Sequence, residues 1–431
     1  MKTAEFKTVL EELTPKQRKV LNAFLAGKED AEIAATLVVE PSTVRRHLAN
    51  ICRAFALSNE AGEHYSYRDD LINLFIQHRP ELVQPTLLKG QLLAPEFPGS
   101  PLVAQSPFYV LRSPIEERCH QEIRKPGALL RIRGPQRMGK TSLLQHLMAT
   151  AKADGYHTIR LNMRQAEARC LTHLDTFLRW FCTHLSLKLN CPPTLERYWD
   201  KARFGSLVSA TTYVQAHLLE SLNQGLLLAL DDVDWLFEFP EIAQGFFTLL
   251  RSWHEDAKSL EVWQHLRLVV AHSTEAYIPL SVHQSPFNVG LPMRLTELTQ
   301  PQVQTLIQRY GLDRVVSHLD SLMALVGGHP YLIQLALYHL YRGDIPFSTL
   351  LKTAPTQGGI YSHHLRRYWQ TLNTHPTLLA ALKQVIAAEP AVIKLDPIVA
   401  YKLESMGLVH LQGDRIQPSC DLYRCYFHAF S

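Results

Sequence analysis

Apolar residues recur at helical spacing from the N-terminus to about residue 83, with no glycine-marked strand pairs, which predicts an all-helical first segment. Thr14 followed by Pro15 reads as a capping residue and a first-turn proline, and Gly27-Lys28 closes that helix. A second helix starts near Asp30, with Ile33, Ala34 and Leu37 on one face. Pro41-Ser42-Thr43 opens a third that carries Val44, Leu48, Ile51 and Phe55. Three helices joined by such short turns describe a helix-turn-helix. From about 108 to 290 the pattern changes: apolar runs at 128–133, 157–163, 226–230 and 266–271 alternate with helical stretches. That alternation predicts a parallel sheet with helices on both faces, an α/β class. Beyond 291 the pattern is helical again, and it finishes in a hairpin from Leu408 to Ile416 with Gly413 in the turn. Pro80, Pro85, Pro95, Pro98, Pro101 and Pro107 lie between the first two regions and predict an extended, semi-rigid linker.

One stretch adds chemistry to this outline. Gly134-Pro135-Gln136-Arg137-Met138-Gly139-Lys140-Thr141 follows the first strand-like run, and Ser142 onward continues as an amphipathic helix. A strand, a glycine-bounded loop and a helix in this order form a phosphate cradle. Loop amides close on a β-phosphate, Lys140 places a charge at the β- and γ-oxygens, and Thr141 offers a hydroxyl to Mg²⁺. Such a loop needs a carboxylate at the end of a neighbouring buried strand, and Leu226 to Leu230 followed by Asp231, Asp232 and Asp234 supplies it. Asp231 is the expected magnesium partner, Asp232 is placed to orient or deprotonate an attacking water, and Asp234 finishes the strand or caps the next segment. The run at 157–163 fits folds in which another strand lies between these two motif strands. The run at 266–271 ends in His272, Ser273 and Thr274, candidates for sensing the γ-phosphate.

Composition narrows the setting without choosing a partner. Over 431 residues, 46% hydrophobic and 19% charged content is that of a soluble globular protein, and a net charge of +4 is too small to decide anything. No apolar run approaches the length of a membrane span, and the first residues lack a signal-peptide core, so a cytoplasmic protein without membrane contact is expected. Seven scattered cysteines without a CxxC suit reduced thiols better than a disulfide frame or zinc cluster. The pair His363-His364 lacks a matching cluster and reads as part of a solvated helix face.

From Ser106 through the phosphate loop, LALDDVD, LRLVVAHSTE, SPFNVGLP and LVGGHPYLIQLALYHL, the chain resembles the AAA-like ATPases common in cyanobacteria. These are related to the signal-transducing STAND class and to origin-recognition ATPases, and the whole arrangement is similar to their vWA-MoxR-associated type. The resemblance implies a multidomain α/β protein. Its segments are a helix-turn-helix at 1–83, a proline-rich linker at 84–107, a P-loop core at 108–290, a helical lid at 291–352 and a winged helix at 353–431. It also implies ATP or ADP with Mg²⁺ held between sheet and lid, with Pro330 near the base or sugar and Tyr109 and Arg112 where such families wrap the adenine. Arg294 departs from the acidic or neutral residue expected there.

LTPKQRKVL…AGKEDAEIAATLVVEPSTVRRHLANICRAF resembles the LuxR-type DNA-binding domain. That match implies that Ser42, Thr43, Arg45 and Arg46 face a major groove, with Lys16 or Arg53 at phosphates. No acidic residue occurs between Pro41 and Asn59, while Arg45, Arg46, His47 and Arg53 do. The expected function is a slowly hydrolysing, ATP-dependent regulatory switch acting on double-stranded DNA, with a nucleotide-dependent oligomer as a further expectation. The alternative is a non-hydrolysing, nucleotide-bound scaffold of a signalling or defence complex, with the helix-turn-helix as a protein-docking module.

Overall fold

The chain divides into two units, Met1–Glu96 and Phe97–Ser431. A computed structural model describes residues 3–55, 57, 67–79, 82–83, 95–273, 288–388, 393–413 and 415–429. Among the described residues of the first unit five α-helices form in sequence: α1 (Thr3–Glu12), α2 (Pro15–Leu25), α3 (Asp30–Leu37), α4 (Pro41–Ala54) and α5 (Arg68–His78). The start of α2 is fixed by a reciprocal cap. The Gln17 amide donates to Thr14 Oγ1 at 3.3 Å, and the Thr14 amide donates to Gln17 Oε1 at 2.9 Å. Ile33, Ala34, Val44, Leu48, Ile51 and Phe55 are all buried in one core with Phe6, Leu21 and Phe75, as their helical spacing requires. Arg68 clamps Asp30 with two bonds of 2.9 Å each, tying α5 to the start of α3.

In the second unit five parallel strands form one sheet in the order β2-β3-β4-β1-β5. They are β1 (Leu129–Gly134), β2 (His157–Asn162), β3 (Leu226–Asp231), β4 (Leu266–Ser273) and β5 (Leu291–Arg294). The four predicted runs are all strands. The strand lying between the two motif strands β1 and β3 is β4, however, while the 157–163 run takes the outer edge as β2. The reason is visible in burial: every residue of β3 and β4 is buried, whereas β2 begins at an exposed His157. Continuous apolar strands belong inside a sheet covered on both faces. The fifth strand lies past the core boundary drawn at 290. Its Pro292 cannot donate to a ladder and is tolerated because β5 is an edge.

Alternation along the strands feeds two cores. Leu130, Ile132, Leu227, Ala229, Val269 and Ala271 meet the helices Ile115–Ile123 and Lys140–Ala153 on one face. Leu129, Ile159, Leu228, Leu230 and Leu268 meet Leu174–Lys188 and Pro240–Asp256 on the other. The helices from Gln300 onward and a hairpin, β6 (Val409–Gln412) with β7 (Arg415–Pro418), share one further core that runs from Val303 through Leu332, Leu365 and Leu403 to Tyr423. Gly413 sits at the turn with φ 62°, as the sequence predicts. Arg294 is exposed at the sheet edge and pairs with Glu404 at 3.1 Å. His364 contradicts its reading as solvated. It is buried and bonded to the Tyr423 hydroxyl at 2.7 Å, because the helix Ser362–Asn373 turns that side inward while His363 stays exposed. Among the described residues no helix is long and apolar enough to cross a membrane.

Gly328 is a place where the chain leaves no room for a side chain. Its carbonyl accepts from the Leu298 amide at 2.7 Å, and an added Cβ would lie 2.2 Å from the Leu298 oxygen. Gly328→Ala is therefore expected to lower stability by about 1–3 kcal/mol, the usual cost of overpacking, read as a drop in Tm against Gly358→Ala, where no atom stands within 4 Å and the backbone is not left-handed.

Candidate nucleotide site and helix-turn-helix surface

Parallel pairing brings the motif residues to one edge of the sheet. Gly134 at the end of β1 pairs with Ser273 at the end of β4, and Asn162 at the end of β2 pairs with Asp231 at the end of β3. In open parallel sheets this carboxyl edge is where ligands bind. The loop leaves β1 and enters the helix Lys140–Ala153 through Gly139, which holds φ 90°. A Cβ there would meet Arg112 at 3.2 Å, so glycine satisfies both the conformation and the space.

Lys140 Nζ donates to the Gly134 and Pro135 carbonyls at 2.9 and 2.8 Å, which anchors the ammonium within the loop. The Thr141 hydroxyl donates to Asp231 Oδ2 at 2.9 Å. A hydroxyl and a buried carboxylate in contact, beside a lysine, form the hard oxygen set that suits Mg²⁺. Asp232 turns away from the strand in a left-handed conformation, φ 52°. Asn162 donates to its carboxylate at 2.9 Å, and Arg164 stands 3.5 Å away. Asp234 accepts the Ser273 amide at 2.8 Å and so joins the ends of β3 and β4, rather than capping the segment after it. Burial raises its carboxyl above the ordinary value, an effect that the Ser273 amide and Lys140 oppose.

A cavity of about 540 Å³ lies over this edge, lined by the loop from Gln136 to Ser142 together with Asp232, Asp234 and Ser273. Its other walls are residues 98–102, Tyr109, Arg112, Pro330, Tyr331 and Arg367. The volume suits a nucleotide-sized ligand. Arg112 is buried and donates to the Met138 carbonyl at 2.8 Å, so it braces the phosphate loop from behind. Tyr109 donates to Glu116 at 2.9 Å and stacks on His146 at 5.1 Å; burial and then Glu116 push its phenol pKa up. Ser142 accepts the Leu102 amide at 3.0 Å, which fastens the 98–102 segment across the cavity. That segment falls in the stretch read as linker. Arg137 lies over the Tyr331 ring at 4.2 Å, linking the loop to the helix that Pro330 begins. Thr274 lies outside the described residues.

Sequence reasoning missed Arg160, Asn162, Arg164 and Arg367. The first three follow from β2 lying beside β3, an order that the strand alternation alone does not give: whatever ends one parallel strand faces what ends its neighbour. Arg367 has no local signal, since it reaches the cavity from a helix more than two hundred residues beyond the loop.

In the first unit Ser42, Arg45, Arg46 and Arg53 are exposed along α4, Thr43 is half-buried, and Lys16 is exposed at the start of α2. Arg45 lies 3.7 Å from Asp30, which offsets part of its charge.

A family described as AAA-like domain matches residues 97–429. The chain belongs to the AAA-like domain family. Residues 11–62 of this AAA-like chain also match bacterial regulatory proteins of the luxR family. Among solved structures, a Walker-type ATPase of Pyrococcus abyssi is similar at 12% identity and TM-score 0.52, over 76% of this chain and 98% of that one. The ORC2 protein of Aeropyrum pernix is similar at 17% identity and TM-score 0.43, over 76% and 98%. CDC6P of Pyrobaculum aerophilum is similar at 15% identity and TM-score 0.38, over 77% and 98%. The likeness to the Pyrococcus protein is one of fold. No curated protein matches the chain.

Three buried histidines give the second unit an acid-sensitive stability. Burial lowers His272 and His329 to about 4 and His364 well below its ordinary value. Each is neutral in the fold and takes up a proton on unfolding below about pH 6.5, so stability falls as pH drops from there toward 4. His410, raised mainly by its bond to Glu297, acts the other way, since its pairing strengthens on acidification. His120 is lowered by burial as well, so the lowered histidines outnumber His410; Tm is expected to be lower at pH 5 than at pH 7, and His364→Gln should shrink the difference. An unchanged Tm across that range would mean that the histidines ionise within the fold.

Proposed function

We propose that this AAA-like chain is an ATP-binding, slowly hydrolysing regulatory switch coupled to DNA through its N-terminal helix-turn-helix. The observation that carries the reading is the convergence of Lys140, Thr141, Asp231, Asp232 and Ser273 at one edge of the sheet, beneath a cavity of nucleotide size. The amides of Gly134–Thr141 and the Lys140 ammonium hold the β- and γ-phosphates of ATP or ADP. Thr141 and Asp231 hold Mg²⁺, which neutralises phosphate charge when bound. Asp232 orients the attacking water, and Ser273 with Thr274 reads the γ-phosphate. Tyr109, Arg112 and Pro330 frame the base and sugar. Residues 291–352 act as the lid, and 353–431 act as a winged helix whose position answers to the nucleotide. In the helix-turn-helix, Ser42, Thr43, Arg45 and Arg46 read the groove while Arg53 meets phosphate. The luxR-family match supports this assignment.

A second reading has its own observation. Arg160 pairs with Asp231, and Asn162 and Arg164 hold Asp232. Carboxylates tied in this way favour a nucleotide-holding scaffold of a signalling or defence complex, in which the helix-turn-helix meets protein.

Phosphate release from MgATP by the purified chain, with and without duplex DNA, separates the two. Lys140→Ala should abolish nucleotide binding. Asp232→Asn should lower turnover by about a hundredfold or more, the scale of a lost general base. Duplex binding should weaken with salt; Arg53→Ala should reduce the salt slope by about 1, and the Arg45→Ala/Arg46→Ala pair should relax the sequence preference. Turnover equal to that of Asp232→Asn in both conditions would favour the scaffold, and unaltered ATP affinity in Lys140→Ala would overturn both readings.

A further inference from the structure

Asp231 Oδ2 has no spare acceptor. Its Oδ1 takes the Asp232 amide at 3.1 Å. Its Oδ2 takes the Thr141 hydroxyl at 2.9 Å and two bonds from Arg160, Nε at 3.2 Å and Nη2 at 2.8 Å. Each carboxylate oxygen offers about two lone pairs, so Oδ1 keeps one free while Oδ2 carries three donors. Thr141, the expected metal partner, touches Oδ2. When it turns to the metal, the two bonds from Arg160 still fill that oxygen, so a metal-bound water reaches Oδ2 only after Arg160 leaves. Arg160 is the donor with somewhere else to go.

That place is a second cavity of about 430 Å³, lined by Arg160, Asn162, Arg164, Gln165 and Lys188. Every lining side chain can donate a hydrogen bond, three are cationic and none is acidic. Arg164 also lines the nucleotide cavity, so the two spaces share a wall at Arg164. With Arg160 and Arg164 balanced by Asp231 and Asp232, Lys188 leaves the cluster with one uncompensated positive charge. Releasing Arg160 from Asp231 leaves it with two. Charged donors of this kind gathered around one open hollow match a small tetrahedral oxyanion.

We propose that this cavity binds inorganic phosphate, the product freed in the adjoining nucleotide cavity, and that its binding draws Arg160 off Asp231 and strengthens the hold on magnesium nucleotide. The inference rests on the nucleotide reading above and adds a form of regulation to it. The coupling is reciprocal: metal at Asp231 frees Arg160 for phosphate, and phosphate on Arg160 frees Asp231 for metal. After hydrolysis the chain then retains MgADP for as long as phosphate stays.

Two measurements on the full chain test this. In equilibrium dialysis with labelled inorganic phosphate, the wild type and Lys140→Ala should retain phosphate, while Arg160→Ala and Lys188→Ala should bind it about tenfold more weakly or worse, the scale of one lost charge-assisted contact. In titrations with a fluorescent ADP analogue, phosphate should tighten binding by about fivefold or more in Mg²⁺, the lower end of ordinary coupling, and have no effect in EDTA. Lys188→Ala should keep the phosphate-free MgADP affinity and lose the response. Arg160→Ala should bind MgADP tightly without phosphate. Phosphate binding that is absent from the wild type, or unchanged in Lys188→Ala, overturns the cavity assignment. Phosphate binding that leaves the magnesium dependence unaltered overturns the coupling. If ADP binds under no condition, the nucleotide reading and the coupling both fall, and dialysis still decides whether the cavity takes phosphate.

Discussion

The parallel register of β1, β3 and β4 is the constraint on which the rest of the second unit depends. It aligns strand ends that are far apart in sequence, so Gly134, Ser273, Asp231 and Asn162 stand in one row. Each carries a polar group, or opens into one, that would be costly to leave unpaired inside a sheet covered on both faces. The observed bonds answer that need: Thr141 and Arg160 on Asp231, Asn162 on Asp232, and the Ser273 amide on Asp234. The site chemistry is thus also the means by which the buried strand ends satisfy their hydrogen bonds.

A second set of contacts binds the phosphate loop to later parts of the chain. Arg112 supports the loop through the Met138 carbonyl, Arg137 lies on Tyr331, and the position of a Cβ on Gly407 lies 3.1 Å from Pro135. Arg294 of β5 pairs with Glu404 in the helix Pro397–Ser405. A loop held from both sides in this way cannot rearrange without being felt in the helices after the sheet. That is the physical route by which a bound nucleotide would alter their arrangement, and the continuous core from Val303 to Tyr423 gives them cause to respond as one body.

Much of the fold was legible because strong, local signals coincide. The Thr14 cap with Pro15, the apolar faces of α3 and α4, the four apolar runs and the glycine-bounded loop each depend on residues within about one turn or one strand of each other. The short edge strand β5 was not legible, since four residues that include a proline carry no period. Neither was the burial of His364, because one helix face does not announce what will pack on it. Residues 98–102 read as linker on their prolines, and their fastening to Ser142 depends on a contact forty positions away.

The sequence by itself determined the local chemistry: a loop able to cradle phosphate, a strand that delivers Asp231 and Asp232, and a helix-turn-helix whose third helix carries basic and no acidic side chains. These arise from backbone preference and periodicity, which act over a few residues. Tertiary structure decided which strand stands between the motif strands, and that Arg160 rather than solvent meets Asp231. It also decided that Arg367 reaches the cavity from near the far end of the chain. Those outcomes depend on strand order and helix packing, which are set by burial summed over the whole unit, and no local window of sequence contains that sum.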